Sequence, residues 1–373
     1  MEMAAAAGTE WERVKAGGGG PGARSSHGVA ASGDGSAAWV IGGEARAREP
    51  AGMVVWRLDF GKGAVAGAAS ANWKRCSTPG DDGMPPARNA HAQALIGTDL
   101  WVFGGRTSVE MGEGALDDIW RFDTVAEVWH GPVASGGAPA PRSYHAGCAA
   151  GGRFYIFGGC GEAGRLNDFH CFDPEKAAWR ELPTPPGVDG RGGPTLEAFW
   201  GGRTLLLFAG FAGRETRDVL TFDIESEKWT RRADLSSDLA PRSVCASFPT
   251  PDGRIVVYGG EVEPSERGHE GAGGFSGDVL EFDADGAARR LVPAPLTSDR
   301  PTPRGWTAMA PLPLTACNLQ ARRAHKDACA ECNEHLHACK EHACRVHAVL
   351  FGGLAGDDAS PERLSDAWVL HLE

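Results

Sequence analysis

Three groups of residues in this chain carry side chains suited to chemistry. The first is the stretch from Gly259 to His269, GGEVEPSERGH. Glu261 and His269 offer a carboxylate and an imidazole, with Glu263 and Glu266 between them, a donor set that suits a divalent transition metal such as Fe(II). Their separation along the chain means that only a loop folding back on itself can bring them together. Pro264, Gly268, Gly271, Gly273 and Gly274 permit such a loop. An acidic, glycine-rich surface loop without a ligand is the competing reading of the same residues. The second group is a set of arginines, Arg24, Arg88, Arg142, Arg191, Arg242 and Arg304, each opening one copy of a repeat. Planar guanidinium groups converging on one axis would bind sulfate, phosphate or carboxylate through bidentate, charge-assisted bonds. They could equally be repeat consensus, paired with backbone or with neighbouring acids. The third group is the Cys/His-rich segment 315–347, with Cys329-x-x-Cys332, His335-x-His337 and Cys339. These are zinc-ligand residue types. At helical spacing, however, His325, Cys329, Cys332 and Cys339 share one face, and a straight helix cannot wrap four ligands around one tetrahedral ion. A surface helix or a translated intron are the rival readings of this segment.

The elements that position these groups follow from Pro141 to Trp179, PRSYHAGCAAGGRFYIFGGCGEAGRLNDFHCFDPEKAAW. Four short runs rich in aromatic and apolar residues, bounded by Gly, Pro, Asn or Asp, predict four consecutive strands. The unit recurs. Gly-Gly returns at 42–43, 104–105, 259–260 and 352–353, with Ala209-Gly210 as a weaker copy. Phe-Asp returns at 122–123, 222–223 and 282–283, and Trp at 73, 129 and 229. A period of about 50 residues with these signatures resembles kelch repeats, each one four-stranded blade of a β-propeller. The expected fold is therefore all-β, a six-bladed propeller forming one domain over 11–373, with 1–10 as a disordered tail. The last unit lacks a fourth strand, and Trp11 to Val14 reads as a strand with no blade before it. Residues 11–15 should complete the sixth blade and close the ring, leaving only short, protected edges. The 315–347 segment then interrupts that blade.

Composition narrows the function. A net charge of −12 and no basic stripe argue against nucleic acid. No apolar run reaches the length of a membrane span. The N-terminus, MEMAAAAGTEWE, lacks a basic start and a long apolar core, so it is a poor signal peptide. Ten cysteines without a framework spacing fit reduced thiols, and a cytoplasmic setting, with the nucleus also open. With three tyrosines in all, a radical oxidase on this architecture has little support.

Loop sequences add a finer resemblance. FGGCGEAGRLND at 157–168, RGGP at 191–194, GFAG at 210–213, GGEVEPSERGHEGAGGF at 259–275, PRGW at 303–306 and ERLSDAW at 362–368 resemble the plant nitrile-specifier, epithiospecifier and thiocyanate-forming proteins, most of all the nitrile-specifier-protein-5-like branch. The resemblance implies an Fe(II)-dependent protein acting on the aglucone that a myrosinase releases from a glucosinolate. It would divert this sulfated molecule to a simple nitrile, with loss of sulfate and sulfur, and the resemblance implies functional association with the myrosinase itself. The family's iron motif, Glu-x-x-x-Asp-x-x-x-His, falls on Glu261, Ser265 and His269. The central Asp is Ser here, a poorer ligand than a carboxylate. Trp306 matches a family Trp near the substrate, and Arg88 an arginine that holds the sulfate. The alternative function is a non-catalytic kelch scaffold that binds a protein or an anionic ligand at the arginine-lined mouth.

Overall fold

Each repeat folds as four antiparallel strands, and the residues that mark the repeat are the ones that fasten it. In blade three, Ala146–Ala150, Arg153–Gly161, Gly164–Asp173 and Ala178–Leu182 pair in that order. Phe172 lies opposite Trp179 across the last two strands, and their rings are 5.1 Å apart. Phe122 and Trp129 repeat this at 5.2 Å, and Phe222 and Trp229 at 4.9 Å. The Asp after each Phe turns the chain: Asp173 accepts hydrogen bonds from the backbone N–H of Glu175 and Lys176, and Asp123 from those of Val125 and Ala126. These cross-strand aromatic pairs and Asx turns explain why Phe-Asp and Trp recur.

A computed structural model describes residues 8–60, 71–76, 83–108, 114–293, 299–312 and 346–372. Its four-stranded units arrange as a six-bladed kelch β-propeller. An apolar cluster fills each seam between neighbouring blades, as where Tyr155, Phe157 and Phe169 of blade three meet Leu205, Leu207 and Phe222 of blade four. The ring closes as the sequence predicts. Gly8–Arg13 pairs antiparallel with Pro361–Leu372 as the fourth strand of blade six, Trp11 opposite Leu370. Trp11 also packs edge-on against Tyr258 of blade five, centroids 5.0 Å apart. The closing strand starts earlier than expected, so Gly8 to Glu10 belong to blade six and not to a tail. The Cys/His-rich segment and its zinc-type ligands lie outside the described residues, apart from Val346 and His347, which already belong to strand Val346–Gly356.

At one end of the central channel the six blades are tied by a closed cycle of backbone hydrogen bonds. The N–H of Ser26 donates to Trp306 O, Ala90 to Ser26 O, Tyr144 to Ala90 O, Gly193 to Tyr144 O, Val244 to Gly193 O and Trp306 to Val244 O, at 2.8–3.0 Å. Every non-glycine member has φ between 48° and 55°, the left-handed region that L-residues avoid. The cycle holds six peptides there, strain that is kept because the surrounding blades over-determine it.

Candidate functional site at the loop mouth of the channel

The arginines preceding this cycle do not line the mouth. Arg88, Arg142, Arg242 and Arg304 are fully buried, and Arg24 and Arg191 nearly so. Arg142 donates to Asp168 through both terminal nitrogens (2.7 Å each) and to Gly158 O at 3.1 Å. Arg88 does the same with Asp118 and Gly104 O, and Arg304 with Asp366 and Gly352 O. Arg191 pairs with Asp218 and Arg242 with Asp278. The expected anion-binding role of Arg24, Arg88, Arg142, Arg191, Arg242 and Arg304 is therefore corrected. Each guanidinium faces its own blade, where it satisfies the carbonyl at the Gly-Gly step and an Asp in or just before the third strand. Burial alone would raise the Asp168 carboxyl, but Arg142 and the His170 ring outweigh it and hold it well below the usual carboxylate range. Arg24 is the exception. Val54 stands where the other blades have Asp, and among the described residues the guanidinium keeps only Gly22 O and Gly42 O. Burial lowers it to about 10.

The mouth itself is built by two concentric sets of residues. The residue after each Gly-Gly step pairs across its hairpin with a residue of the returning segment: Glu44 with Pro50, Arg106 with Ala115, Cys160 with Arg165, Phe211 with Glu215, Glu261 with Phe275, and Leu354 with Arg363. Glycine is required just before because Gly105, at φ 92°, leaves only 2.7 Å between an added Cβ and Asn89 O. At two seams the second residue of the pair reaches the next blade. Arg363 meets Glu44 at 3.0 Å, and the Arg165 guanidinium sits 4.7 Å over the Phe211 ring.

These sets enclose a cavity of about 260 Å³ whose lining includes Tyr144, Arg165, Phe211, Glu261, Ser265 and Trp306. Tyr144 and Trp306 come from blades three and six, opposite each other, and their rings meet edge to face at 5.3 Å. Beyond them the larger central channel, about 570 Å³, shares no lining residue with the mouth cavity. Its acidic lining residue is Glu197, which accepts a hydrogen bond from Ser247 at 3.1 Å.

Of the sequence-predicted site, Trp306, Glu261 and Ser265 come together at this cavity, while Arg88 lies buried within blade two. The Glu261 carboxyl is 8% exposed and pushed up to about 7, by burial first and by the Asp358 charge as a further contribution. It accepts a hydrogen bond from the N–H of Ser265 at 3.3 Å. The Ser265 hydroxyl donates to Asp358, in the hairpin tip of blade six, and the Glu266 N–H donates to the same carboxylate at 2.9 Å. Gly271 makes this packing possible, since a Cβ there would lie 2.0 Å from Asp358 Oδ1. His269 lies in the short 3₁₀ turn Gly268–Glu270. As a metal site the donor set fits in part. Glu261 is a buried carboxylate suited to a divalent ion, whereas the Ser265 hydroxyl is engaged with Asp358. Among the described residues no cluster of three His, Cys, Asp or Glu is close enough to hold a metal.

Sequence reasoning missed Tyr144, Arg165 and Asp358. Arg165 is exposed at the cavity and has no ion-pair partner among the described residues. Its signal was available, in that it is the residue facing Cys160 directly after the Gly-Gly step of the template repeat.

With this geometry in place, comparison with known proteins assigns the chain. It matches the family described as the KLHDC2/KLHL20/DRC7 Kelch-repeats domain over residues 35–260, and it belongs to that kelch-repeat family. It is 26% identical to N-(sulfonatooxy)prop-2-enimidothioate sulfolyase of Thlaspi arvense, over 80% of this chain and 87% of that protein. This agrees with the resemblance to plant specifier proteins. It is 34% identical to Adagio-like protein 3 of Oryza sativa subsp. japonica, over 52% of this chain and 32% of that protein. It is 27% identical to Kelch domain-containing protein 3 of Bos taurus, over 54% of this chain and 55% of that protein. The chain thus spans most of the sulfolyase but only about a third of the Adagio-like protein.

Proposed function

We propose that this propeller takes a small sulfated thiohydroximate in the mouth cavity and converts it to a nitrile, as an Fe(II)-dependent lyase of the specifier type. The observation that carries this reading is the convergence, in one cavity, of Trp306, the buried Glu261 and Arg165, which has no ion-pair partner among the described residues. The similarity to a sulfolyase along 80% of this chain and 87% of that protein supports it. Arg165, in place of the buried arginines, holds the sulfate by bidentate bonds. Tyr144 and Trp306 form an apolar floor that keeps the substrate out of the channel and limits water. Glu261 and the loop to His269 hold the iron, which when bound supplies a Lewis acid for the substrate sulfur. The reaction needs no external oxidant. The N–O pair leaves with sulfate, the C–S pair becomes the third C–N bond, and sulfur departs as the neutral atom. A carboxylate at the mouth takes the thiol proton.

A second reading, a non-catalytic kelch scaffold that binds a protein or an anionic ligand at the same mouth, is favoured by one observation. The hydroxyl at the central motif position is already bonded to Asp358. The two readings separate in a product assay, with myrosinase and a glucosinolate in the presence of the protein and Fe(II) under anaerobic conditions. Lyase action gives nitrile at the expense of isothiocyanate, and a scaffold leaves the isothiocyanate yield unchanged.

A further inference from the structure

The central channel is a second cavity, and the proposed reaction makes no use of it. It holds about 570 Å³, within the range of small-molecule sites, and shares no lining residue with the mouth cavity. Its wall is mostly small and apolar, as at Ala31, Ala149 and Met309. Among the described residues no Lys, Arg or Asp lines it, and Glu197 is its one carboxylate. The Ala198 N–H donates to one oxygen of Glu197 at 3.2 Å, and the hydroxyl of Ser247, from blade five, donates to the other at 3.1 Å. Both donors are neutral, so the carboxylate keeps its full charge. His91 and His145 also line the channel. Burial first, then the charge of Arg88 beside His91 and of Arg142 beside His145, lowers both rings, His91 to about 4. Both are neutral near pH 7 and leave Glu197 uncompensated.

Trp200 is the second feature. It follows strand Thr195–Ala198 in a turn closed by the N–H of Gly202 donating to Phe199 O at 2.9 Å. The chain runs from Gly193, in the hydrogen-bonded cycle, to this turn, so Trp200 stands at the end of the channel away from Tyr144 and Trp306. Its indole lines the channel and is 41% exposed. Three extended residues, the separation of Glu197 from Trp200, span at most about 10 Å.

We propose that the channel takes a small organic monocation, an amine whose ammonium pairs with Glu197 and whose apolar body rests on Trp200. A carboxylate withdrawn from water is costly without a partner, and apolar walls focus its field on a cation. The indole adds apolar contact and a cation–π attraction. Burial pushes the Glu197 carboxyl up to about 7 against its two hydrogen bonds, so near neutral pH the ammonium displaces a proton at most. Among the described residues no cluster of three His, Cys, Asp or Glu accompanies it, so an organic cation fits here and a metal ion does not. The assignment is independent of the lyase reading.

The test is calorimetric titration of the full chain with 2-phenylethylammonium and with 2-phenylethanol, its neutral counterpart. Wild type should bind the ammonium with a stoichiometry of one and the alcohol at least tenfold more weakly. Glu197→Gln keeps the shape and removes the charge, so it should bind the ammonium at least tenfold more weakly than wild type does. Trp200→Ala, at an exposed turn, should weaken the ammonium several-fold with folding intact, and it carries the comparison should Glu197→Gln prove insoluble. Arg165→Met, in the mouth cavity, should bind as wild type does. Equal affinity of wild type for the ammonium and the alcohol overturns the assignment, as does equal affinity of wild type and Glu197→Gln for the ammonium. No saturable uptake by wild type at millimolar concentration overturns it as well. Uptake lost in Arg165→Met and kept in Glu197→Gln places the cation at the other cavity and also overturns it.

Discussion

Tyr144 and Trp306 lie in opposite blades, yet their rings meet across the propeller axis, 5.3 Å apart and nearly perpendicular. Each sits in the left-handed backbone region, at φ 55° and 54°, and each belongs to the cycle of inter-blade hydrogen bonds. The four other members of the cycle are Ser26, Ala90, Gly193 and Val244, whose side chains are too small to span the axis. The pair is therefore what separates the mouth cavity from the central channel. A double-mutant cycle with Tyr144→Leu and Trp306→Leu should return a coupling of about 0.5–1.5 kcal/mol, as for other edge-to-face pairs. Additive effects in denaturant unfolding would show that the rings do not act together.

The buried arginine–aspartate pairs make a stronger stability prediction. Asp168→Ala leaves Arg142 charged and buried without a carboxylate, which costs about 3–5 kcal/mol. The reverse experiment is available in blade one, because Arg24 lacks the acid. Val54→Asp should supply it and raise the thermal midpoint, with a gain of about 1 kcal/mol or more from charge-assisted bonds. A lowered midpoint would show that position 54 does not present its side chain as Asp118 and Asp168 do.

The pH dependence of stability follows from the sign of the shifts. Glu215 and Glu261 are raised, to about 8 and about 7, so between pH ~4.5 and these values the native state binds more protons than the unfolded chain. Their contribution is complete below the unfolded value and is lost as pH rises through the folded values. Asp168, held low, contributes in the opposite sense: its stabilisation is present above the unfolded carboxylate value and lost as pH falls below it. In metal-free protein, Glu215→Gln should flatten the decline of the midpoint from pH 6 to pH 9 seen in wild type. An identical slope in both proteins would mean that Glu215 is not the titrating group.

Much of the fold was legible from Gly-Gly, Phe-Asp and Trp, because a blade needs a tight hairpin, an Asx turn and an aromatic cross-strand pair at fixed offsets. Closure by the N-terminal strand was legible from a missing fourth strand at one end and a spare one at the other. The site was less legible. An arginine recurring in every repeat reads as a ligand ring or as a structural pair, and the deciding partners, Asp118, Asp168, Asp218, Asp278 and Asp366, lie well downstream in the chain. An Asp in or just before the third strand in five units, with Val54 in the first, was the signal that decides it. Trp306 and Glu261 were identified through loop resemblance and do reach the cavity. Asp358 could not be anticipated, since its contact with Ser265 depends on two loops from adjacent blades meeting.

Closure of the ring gives a prediction outside the site. Trp11 fills the seam between blades five and six, and Trp11→Ala should cost about 3–5 kcal/mol. Removing residues 1–13 should expose the edge of Pro361–Leu372 and abolish cooperative unfolding. Retention of a single sharp transition by the truncated chain would show that the ring does not depend on this strand.

The most direct test of the account compares product partition with cavity residues and a buried control position replaced in turn. Myrosinase, a glucosinolate, Fe(II) and each protein are incubated anaerobically, and nitrile and isothiocyanate are quantified by gas chromatography. Wild type should yield nitrile in proportion to protein added. Arg165→Met and Trp306→Ala should lose at least tenfold of it with folding intact by circular dichroism. Val54→Asp, which engages only the buried Arg24, should retain it. Nitrile yields equal to the no-protein control for wild type, or unchanged in Arg165→Met and Trp306→Ala, would contradict the assignment of this cavity as a lyase site.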